Sequence, residues 1–460
     1  MLVRSTVRMA NLPSFLLAAL LALPAVSTLG QTKPHVIILI SDDMGWNDVG
    51  YHGSRIQTPN IDRLAAEGLR LNRFYVHPIC SPTRAALFTG RSPARFGITG
   101  PLGGGRGVPT EEHFMSQSFK AAGYQTFAIG KWHLGVADEY SARERGFDHF
   151  YGARDGVVDY YDHTFKGKPD WERNGKPIQE EGYTTDLFGA EAVRLIERRD
   201  RSKPVFLYLA FNAPHGPVKA PADVIQKYSR EGRDKRNVYF AAVDVLDRAI
   251  GNILDAVERE GMKDNTLVLF FCDNGPRLSS DPGKGGLALR GGKGDLLEGG
   301  VRVPAVLRWP TVIPAGSRSE QMIGVMDLLP TLADAVGIPH GSRRSLDGFN
   351  VWPAIRDGRI GRRNPLIIAG QRGEFAVLED PLKLIVGSEG TQLYDVRADP
   401  TESQNLAAAR SSDVVRLQSV LNPLPQVARS DRRGKFFSSN KGDKKQRKGD
   451  RKRRRPQPNP

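Results

Sequence analysis

Four polar clusters in this chain each follow an apolar run. Ser41-Asp42-Asp43 follows His35–Ile40, and Gly130-Lys131-Trp132-His133 follows Gln125–Ile129. Asn212-Ala213-Pro214-His215 follows Val205–Phe211, and Asp273-Asn274-Gly275 follows Thr266–Cys272. In an open α/β sheet such runs are buried strands, and the residues just after them lie at the carboxyl edge, where ligands bind. Each cluster alone has an ordinary explanation as a cap, a turn or a structural histidine. Four at one edge make a site. Asp42, Asp43, Asp273 and Asn274 offer only oxygen ligands, which suits a hard cation rather than zinc. Ca2+ is favoured over Mg2+, which keeps several waters of its own. Such an ion would draw in substrate oxygens and stabilise transition-state charge.

The reactive segment is Cys80-Ser81-Pro82-Thr83-Arg84, continuing Ala85-Ala86-Leu87-Phe88-Thr89-Gly90-Arg91. Pro82 suits the first turn of a helix, so Cys80 is expected at a helix N-terminus with Arg84 one turn on. That reads as an activated nucleophile beside an anion-binding cation. Cys272, inside an apolar strand, is expected to be structural. Lys131 and Lys293 stand in Gly130-Lys131 and Gly291-Gly292-Lys293, settings that allow close backbone approach to a ligand.

The positioning elements follow from periodicity. Besides the four strands, Ile61–Glu67, Phe114–Ala122, Asn237–Glu260 and Met326–Val336 read as helices and Val303–Leu307 as a strand. After Gly348 the rhythm changes to short strands at Pro365–Ala369, Phe375–Leu378, Leu382–Val386 and Gln392–Val396, then a helix at Ser412–Leu421. The expected fold class is α/β: a large mixed, mostly parallel sheet sandwiched by helices, plus a small C-terminal antiparallel sheet with a helix. The expected division is residues 1–30 as a signal peptide, 31–348 as the main α/β domain, 349–428 as an α+β subdomain and 429–460 as a disordered basic tail.

Both ends carry that division. Arg4 and Arg8 precede an apolar stretch from Phe15 to Val26, too short to span a bilayer comfortably, then small residues; cleavage after Ser27 or Gly30 fits export to the periplasm or the medium. Of the 66 Lys+Arg and 51 Asp+Glu, 14 and 3 fall in residues 429–460, so the net charge of +15 resides mostly in the tail. The tail could dock on polyanions, though a solvated tail without a specific partner fits equally. No base-reading motif accompanies it, which argues against sequence-specific nucleic-acid binding. Two cysteines exclude a disulfide scaffold.

Cys80-x-Pro82-x-Arg84 with Leu87 and Thr89-Gly90-Arg91 resembles the sulfatase signature. The resemblance runs from Pro34 to about Leu406 through Asp42-Asp43-Met44-Gly45-Trp46, Gly130-Lys131-Trp132-His133-Leu134-Gly135, Asp273-Asn274-Gly275 and Lys293-x-x-x-x-Glu298-Gly299-Gly300-x-Arg302. Leu393-Tyr394-Asp395, Asp399-Pro400 and Asn405-Leu406 extend it. Within the family, Trp46-Asn47-Asp48-Val49-Gly50, Arg145-Gly146-Phe147-Asp148 and Asp159-Tyr160-Tyr161 are similar to the arylsulfatase B (N-acetylgalactosamine-4-sulfatase) group.

The resemblance implies that a formylglycine-generating or equivalent maturation enzyme converts Cys80 to formylglycine (3-oxoalanine), whose hydrate supplies the nucleophilic hydroxyl. It maps the calcium ligands onto Asp42, Asp43, Asp273, Asn274 and modified Cys80. Arg84 and Lys131 would hold the hydrate, and Lys293 the sulfate oxygens. His215, with Lys293, would protonate the leaving alcohol. His133 would take the remaining hydroxyl's proton so that sulfate leaves and the aldehyde is regenerated. The implied substrate is a sulfated saccharide, with N-acetylgalactosamine 4-sulfate and an algal galactan sulfate as the two candidates. Specificity is expected from loops near Gly152–His163 and Pro276–Arg290, with His163 a candidate pocket residue. Two other readings stand beside this one: a formylglycine-dependent phosphonate or phosphodiester hydrolase, and a non-catalytic polyanion-binding protein that works through its tail.

Overall fold

The run His35–Ser41 is the middle strand of a ten-stranded sheet, and Val36 to Ile40 are wholly buried. Alternation is absent because helices cover both faces, so every side chain meets a core. The computed structural model describes residues 33–229, 236–277 and 288–422. The expected signal segment, the basic tail and residues 278–287 of the expected specificity loop lie outside the described residues.

Five strands run parallel, in the order Thr266–Cys272, His35–Ser41, Val205–Ala210, Gln125–Lys131 and His149–Ala153. Ala305–Arg308 joins Thr266–Cys272 antiparallel, followed by Leu69–Leu71 and Ser317–Ser319. Glu172–Arg173 and Lys176–Pro177 close the other edge. The register pairs Ser41 with Cys272 and Ile40 with Ala210, so the middle strand and its two neighbours end level. Their sequels, Asp42, Asp273 and Phe211, therefore emerge side by side.

The helix Asn237–Arg259 buries Tyr239, Phe240, Val243, Leu246, Ile250, Ile253, Leu254 and Val257 at helical spacing. Fully burying each such side chain contributes roughly 1.5–3 kcal/mol. The helix Thr184–Glu197, absent from the sequence expectation, buries Phe188, Ala192, Leu195 and Ile196. Leu366–Ala369, Phe375–Glu379, Leu382–Gly387 and Gly390–Asp395 form the expected antiparallel sheet in consecutive order. Together with the helix Ser411–Ser419 it encloses a small core of its own, with Phe375, Val377, Leu384, Leu393 and Leu417. Among the described residues no helix is long and apolar enough to cross a membrane.

Candidate active site at the carboxyl edge of the sheet

Cys80 opens the helix Cys80–Thr89, with Ile79 as the extended N-cap and Pro82 in the first turn. All ten residues are buried, so the helix is an internal strut rather than a surface element. Ser81 accepts from the Leu102 amide (3.0 Å) and donates to the His133 carbonyl (3.1 Å). Position 80 is thereby tied to both the 97–106 loop and the segment after Gln125–Lys131.

The four strand-end clusters do converge. Lys131 Nζ is 2.5 Å from Asp42 Oδ2, and Lys293 Nζ is 2.6 Å from Asp43 Oδ1. His215 Nε2 is 3.7 Å from Asp43 Oδ2, and Cys80 Sγ is 3.3 Å from His133 Nδ1. Arg84 donates to Asp273 Oδ2 (2.8 Å from Nη2), to the Lys131 carbonyl (2.6 Å) and to the Tyr208 hydroxyl (3.2 Å). Asn274 Nδ2 donates to Asp43 Oδ1 (2.7 Å) and to the Gly275 carbonyl (2.9 Å).

Backbone geometry supports the convergence. Asp43 (φ 67°) and His133 (φ 55°) both occupy the left-handed region, an unfavourable state for residues with side chains, found where a site is held against its local preference. Gly130 has φ 95°, and a Cβ there would lie 1.9 Å from the Ala210 carbonyl oxygen. Only glycine fits at this point beside Ala210, just before Lys131 ends the strand.

Charge is concentrated here. Burial would raise the Asp42 carboxyl, but Lys131, His215, Lys293 and Arg84 outweigh it and hold it well below the usual carboxylate range. Burial and the neighbouring Asp42 push Asp273 up to about 6, against Arg84 and Lys131. Burial pulls His215 down to about 4 and, with Lys131 and Arg84 beside it, His133 well below its ordinary value. His133 Nε2 faces the Leu102 carbonyl (3.2 Å), which can only accept, so that nitrogen carries the proton in this bond. Nδ1 then presents a lone pair to Cys80.

Burial, rather than helix position, governs the Cys80 thiol. Burial raises the Cys80 thiol more than Lys131 and Lys293 lower it, and Arg84 is engaged with carboxylates and a carbonyl instead. Helix polarity and sequence proximity do not overcome full desolvation. As a thiol, position 80 is a poor nucleophile. Cys272 fits its structural expectation: it accepts from the Met44 amide (2.9 Å), faces the Asn274 carbonyl (3.1 Å) and so joins the two acidic loops.

Three buried oxygens, Asp42 Oδ1, Asp43 Oδ2 and Asn274 Oδ1, have no hydrogen-bond partner. Buried polar atoms are rarely left unpaired, and three from the expected ligand set at one edge fit a hard cation. His215 joins Asp42 and Asp43 in a group whose donor atoms lie within 4.8 Å of one another.

His163 is not a free pocket residue. It is 4% exposed, its Nε2 faces the Gly182 carbonyl (3.0 Å), and it stacks on Trp171 at 4.3 Å. Three contributors had no role assigned from sequence. Tyr160 donates to the His215 carbonyl (2.9 Å), the Leu102 carbonyl fixes His133, and Gly156 packs on that imidazole. Asp159-Tyr160-Tyr161 marked its segment as distinctive, but a backbone carbonyl leaves no mark in side-chain chemistry.

Residues 34–338 match the family model described as Sulfatase. The N-acetylgalactosamine-6-sulfatase of Homo sapiens is 37% identical over 356 residues, 71% of this chain and 66% of that protein. Arylsulfatase J of Mus musculus is 33% identical over 351 residues, 73% of this chain and 58% of that protein. The chain thus spans less than two thirds of the length of these relatives. The solved structure of Ps i-CgsB in complex with k-i-k-neocarrahexaose superposes with a TM-score of 0.81 at 32% identity, covering 89% of this chain and 96% of that one. A phosphonate monoester hydrolase of Agrobacterium radiobacter shares the fold at TM-score 0.58 and 18% identity, covering 85% of this chain and 95% of that one. Sequence, signature and architecture agree: the chain belongs to the sulfatase family.

Proposed function

We propose that this chain hydrolyses sulfate esters of a sulfated carbohydrate after export, with the catalytic part in residues 31–348 and a C-terminal subdomain in 349–428. The observation that carries the proposal is the meeting of Cys80, His133, Lys131, Lys293 and His215 around three unpaired carboxylate and amide oxygens. An in-line attack at sulfur requires a nucleophile, cations on the sulfate oxygens and an acid for the leaving oxygen. Each has a candidate within this cluster.

Asp42, Asp43, Asp273 and Asn274, with residue 80, would hold Ca2+, which supplies positive charge for the sulfate oxygens. Conversion of Cys80 to formylglycine supplies a hydrated aldehyde in place of the protonated thiol. Around it, the lone pair of His133 Nδ1 is placed to take a proton from the group on residue 80. Lys293 stays charged: burial pulls its ammonium down, but the carboxylates Asp42, Asp43 and Asp273 raise it further, which makes it a fixed cation for the sulfate oxygens. His215 is neutral at pH 7 and is placed to relay a proton to the leaving alcohol. Arg84 and Lys131 fix the carboxylates and steady the hydrate.

On substrate, the sequence resemblance favours N-acetylgalactosamine 4-sulfate. The similarity to a protein solved with a bound neocarrahexaose supports the galactan reading as the second. Sulfate release from chondroitin 4-sulfate, chondroitin 6-sulfate and carrageenan oligosaccharides, with 4-nitrophenyl sulfate and an aryl phosphodiester beside them, tests the proposal. Turnover of a sulfate ester that Cys80→Ala abolishes supports it. Preference for the phosphodiester, or release unaffected by Cys80→Ala, overturns it.

A further inference from the structure

The 97–106 loop does more than hold His133. Gly97, Ile98, Thr99, Gly100, Pro101, Leu102 and Arg106 form one wall of a 260 Å³ cavity, and Gln371 and Arg372 form the other. Leu102 contacts both Ser81 and His133, so this wall begins one residue from position 80. A second cavity, of 140 Å³, begins at Gly294, beside Lys293, whose amide donates to the Pro276 carbonyl (2.9 Å). Arg372 lines both cavities.

The turn that carries Arg372 is well anchored. The Gly370 amide donates to the Glu374 carbonyl (2.9 Å), and the Arg372 amide donates to Glu374 Oε2 (2.8 Å). Gly100 lies against Gln371, close enough that a Cβ there would sit 3.6 Å from Nε2. Arg372 is exposed, and among the described residues its guanidinium makes no ion pair. The cavities differ in sign. Asp295, Glu374 and Glu389 line the one beside Lys293, whereas the one beside Leu102 has Arg106 and Arg372 and no carboxylate. A guanidinium fork with a threonine hydroxyl, a glutamine amide and glycine backbone is a recognition set for an anionic sugar.

We propose that the cavity between residues 97–106 and 371–372 is a subsite for a second anionic group, carried by the sugar unit next to the one whose ester is cleaved. This deepens the proposed function and rests on it. A saccharide with its ester at position 80 and its chain passing Leu102 would place a neighbouring sulfate or carboxylate at Arg106 and Arg372. The substrate is then a chain with charges on successive units, rather than an isolated monosaccharide sulfate.

The test uses the full-length mature enzyme and competition against 4-nitrophenyl sulfate turnover. The competitors are an oligogalacturonide, a dextran sulfate oligosaccharide and a neutral galacto-oligosaccharide of matched length. Both or either of the anionic competitors should inhibit and the neutral one should not, and which of them inhibits identifies carboxylate or sulfate as the recognised group. Arg372→Gln and Arg106→Gln should each raise the ratio of competitor Ki to aryl-sulfate KM about tenfold, the loss of one charge-assisted bond. Arg318→Gln, which removes an exposed charge from the strand Ser317–Ser319, should leave the ratio unchanged. The basic tail is common to all variants and cancels. No inhibition by either anionic competitor, an unchanged ratio in Arg372→Gln, or an equal change in Arg318→Gln would overturn the subsite while leaving the proposed function standing. Absence of turnover on every sulfate ester would remove both.

Discussion

Lys383→Met is the most informative perturbation away from the reacting groups. Lys383, Glu298 and Glu402 are each 0% exposed, with Lys383 Nζ 3.1 Å from Glu298 Oε1 and 3.0 Å from Glu402 Oε1. Glu298 also accepts from the Tyr75 hydroxyl (3.1 Å), and its amide donates to Glu402 Oε2 (2.7 Å). The triad thus joins the strand Leu382–Gly387 to the short helix Glu298–Val301, which comes just after the Lys293 loop. Removing one partner of a buried ion pair costs about 3–5 kcal/mol, because the remaining charge stays desolvated. At about 2 °C per kcal/mol for a chain of this size, Tm should fall about 6–10 °C. The pH dependence has a definite sign. Burial already raises the Glu402 carboxyl against the pull of Lys383, and losing the ammonium raises it further. A carboxyl whose folded pKa lies above its unfolded one contributes stability at low pH that is lost as pH rises. The deficit relative to wild type should therefore be larger at pH 8 than at pH 5. Lys383→Met/Glu298→Gln/Glu402→Gln should recover most of it. Thermal scans of the three proteins at both pH values decide the matter. A Tm loss of less than about 2 °C, or a loss independent of pH, would refute the reasoning.

Gly156→Ala should act on His133. Its Cβ would lie 2.3 Å from Nε2, so the imidazole must leave the Leu102 carbonyl, and kcat should fall at least about tenfold with KM little changed. Steady-state kinetics on an aryl sulfate check this. Chelation of calcium by EGTA should lower both activity and Tm, and added Ca2+ should restore both, since an ion at 100 times its Kd stabilises by about 2.7 kcal/mol. Asp43→Asn should blunt the Tm response. Glu191, bound by Arg194 (2.6 Å) and His149 (2.7 Å), is held at about 2: burial would raise it, but those partners outweigh burial. Its lowered pKa contributes stability above the ordinary glutamate value that is lost as pH falls toward 2. Glu191→Gln should therefore shrink the Tm difference between pH 6 and pH 3.

Much of the site was legible because the sheet makes it so. A buried parallel strand reads as an unbroken apolar run, and its end marks the ligand edge, so Asp42, Lys131, His215 and Asp273 could be gathered without coordinates. The features that stayed hidden depend on tertiary surroundings. The ionisation of Cys80 follows from total burial, which no helix position announces. The roles of the Leu102 carbonyl, Tyr160 and Gly156 arise from loops that meet only after folding. The helix Thr184–Glu197 has Tyr183 as its N-cap without a side-chain cap bond, so its start is weakly marked, although Phe188, Ala192, Leu195 and Ile196 share a face. His163, from sequence as readily an ordinary loop histidine as a pocket residue, spends its ring on stacking and a carbonyl.

The central claim is that residue 80 works as an aldehyde rather than as the buried thiol. Trypsin cleavage after Arg73 and Arg84 isolates residues 74–84 with Cys80 inside. Mass spectrometry of that peptide from active enzyme should show the thiol sulfur and two hydrogens replaced by one oxygen, in proportion to specific activity across preparations. Full activity in material whose peptide carries only unaltered cysteine would contradict the account.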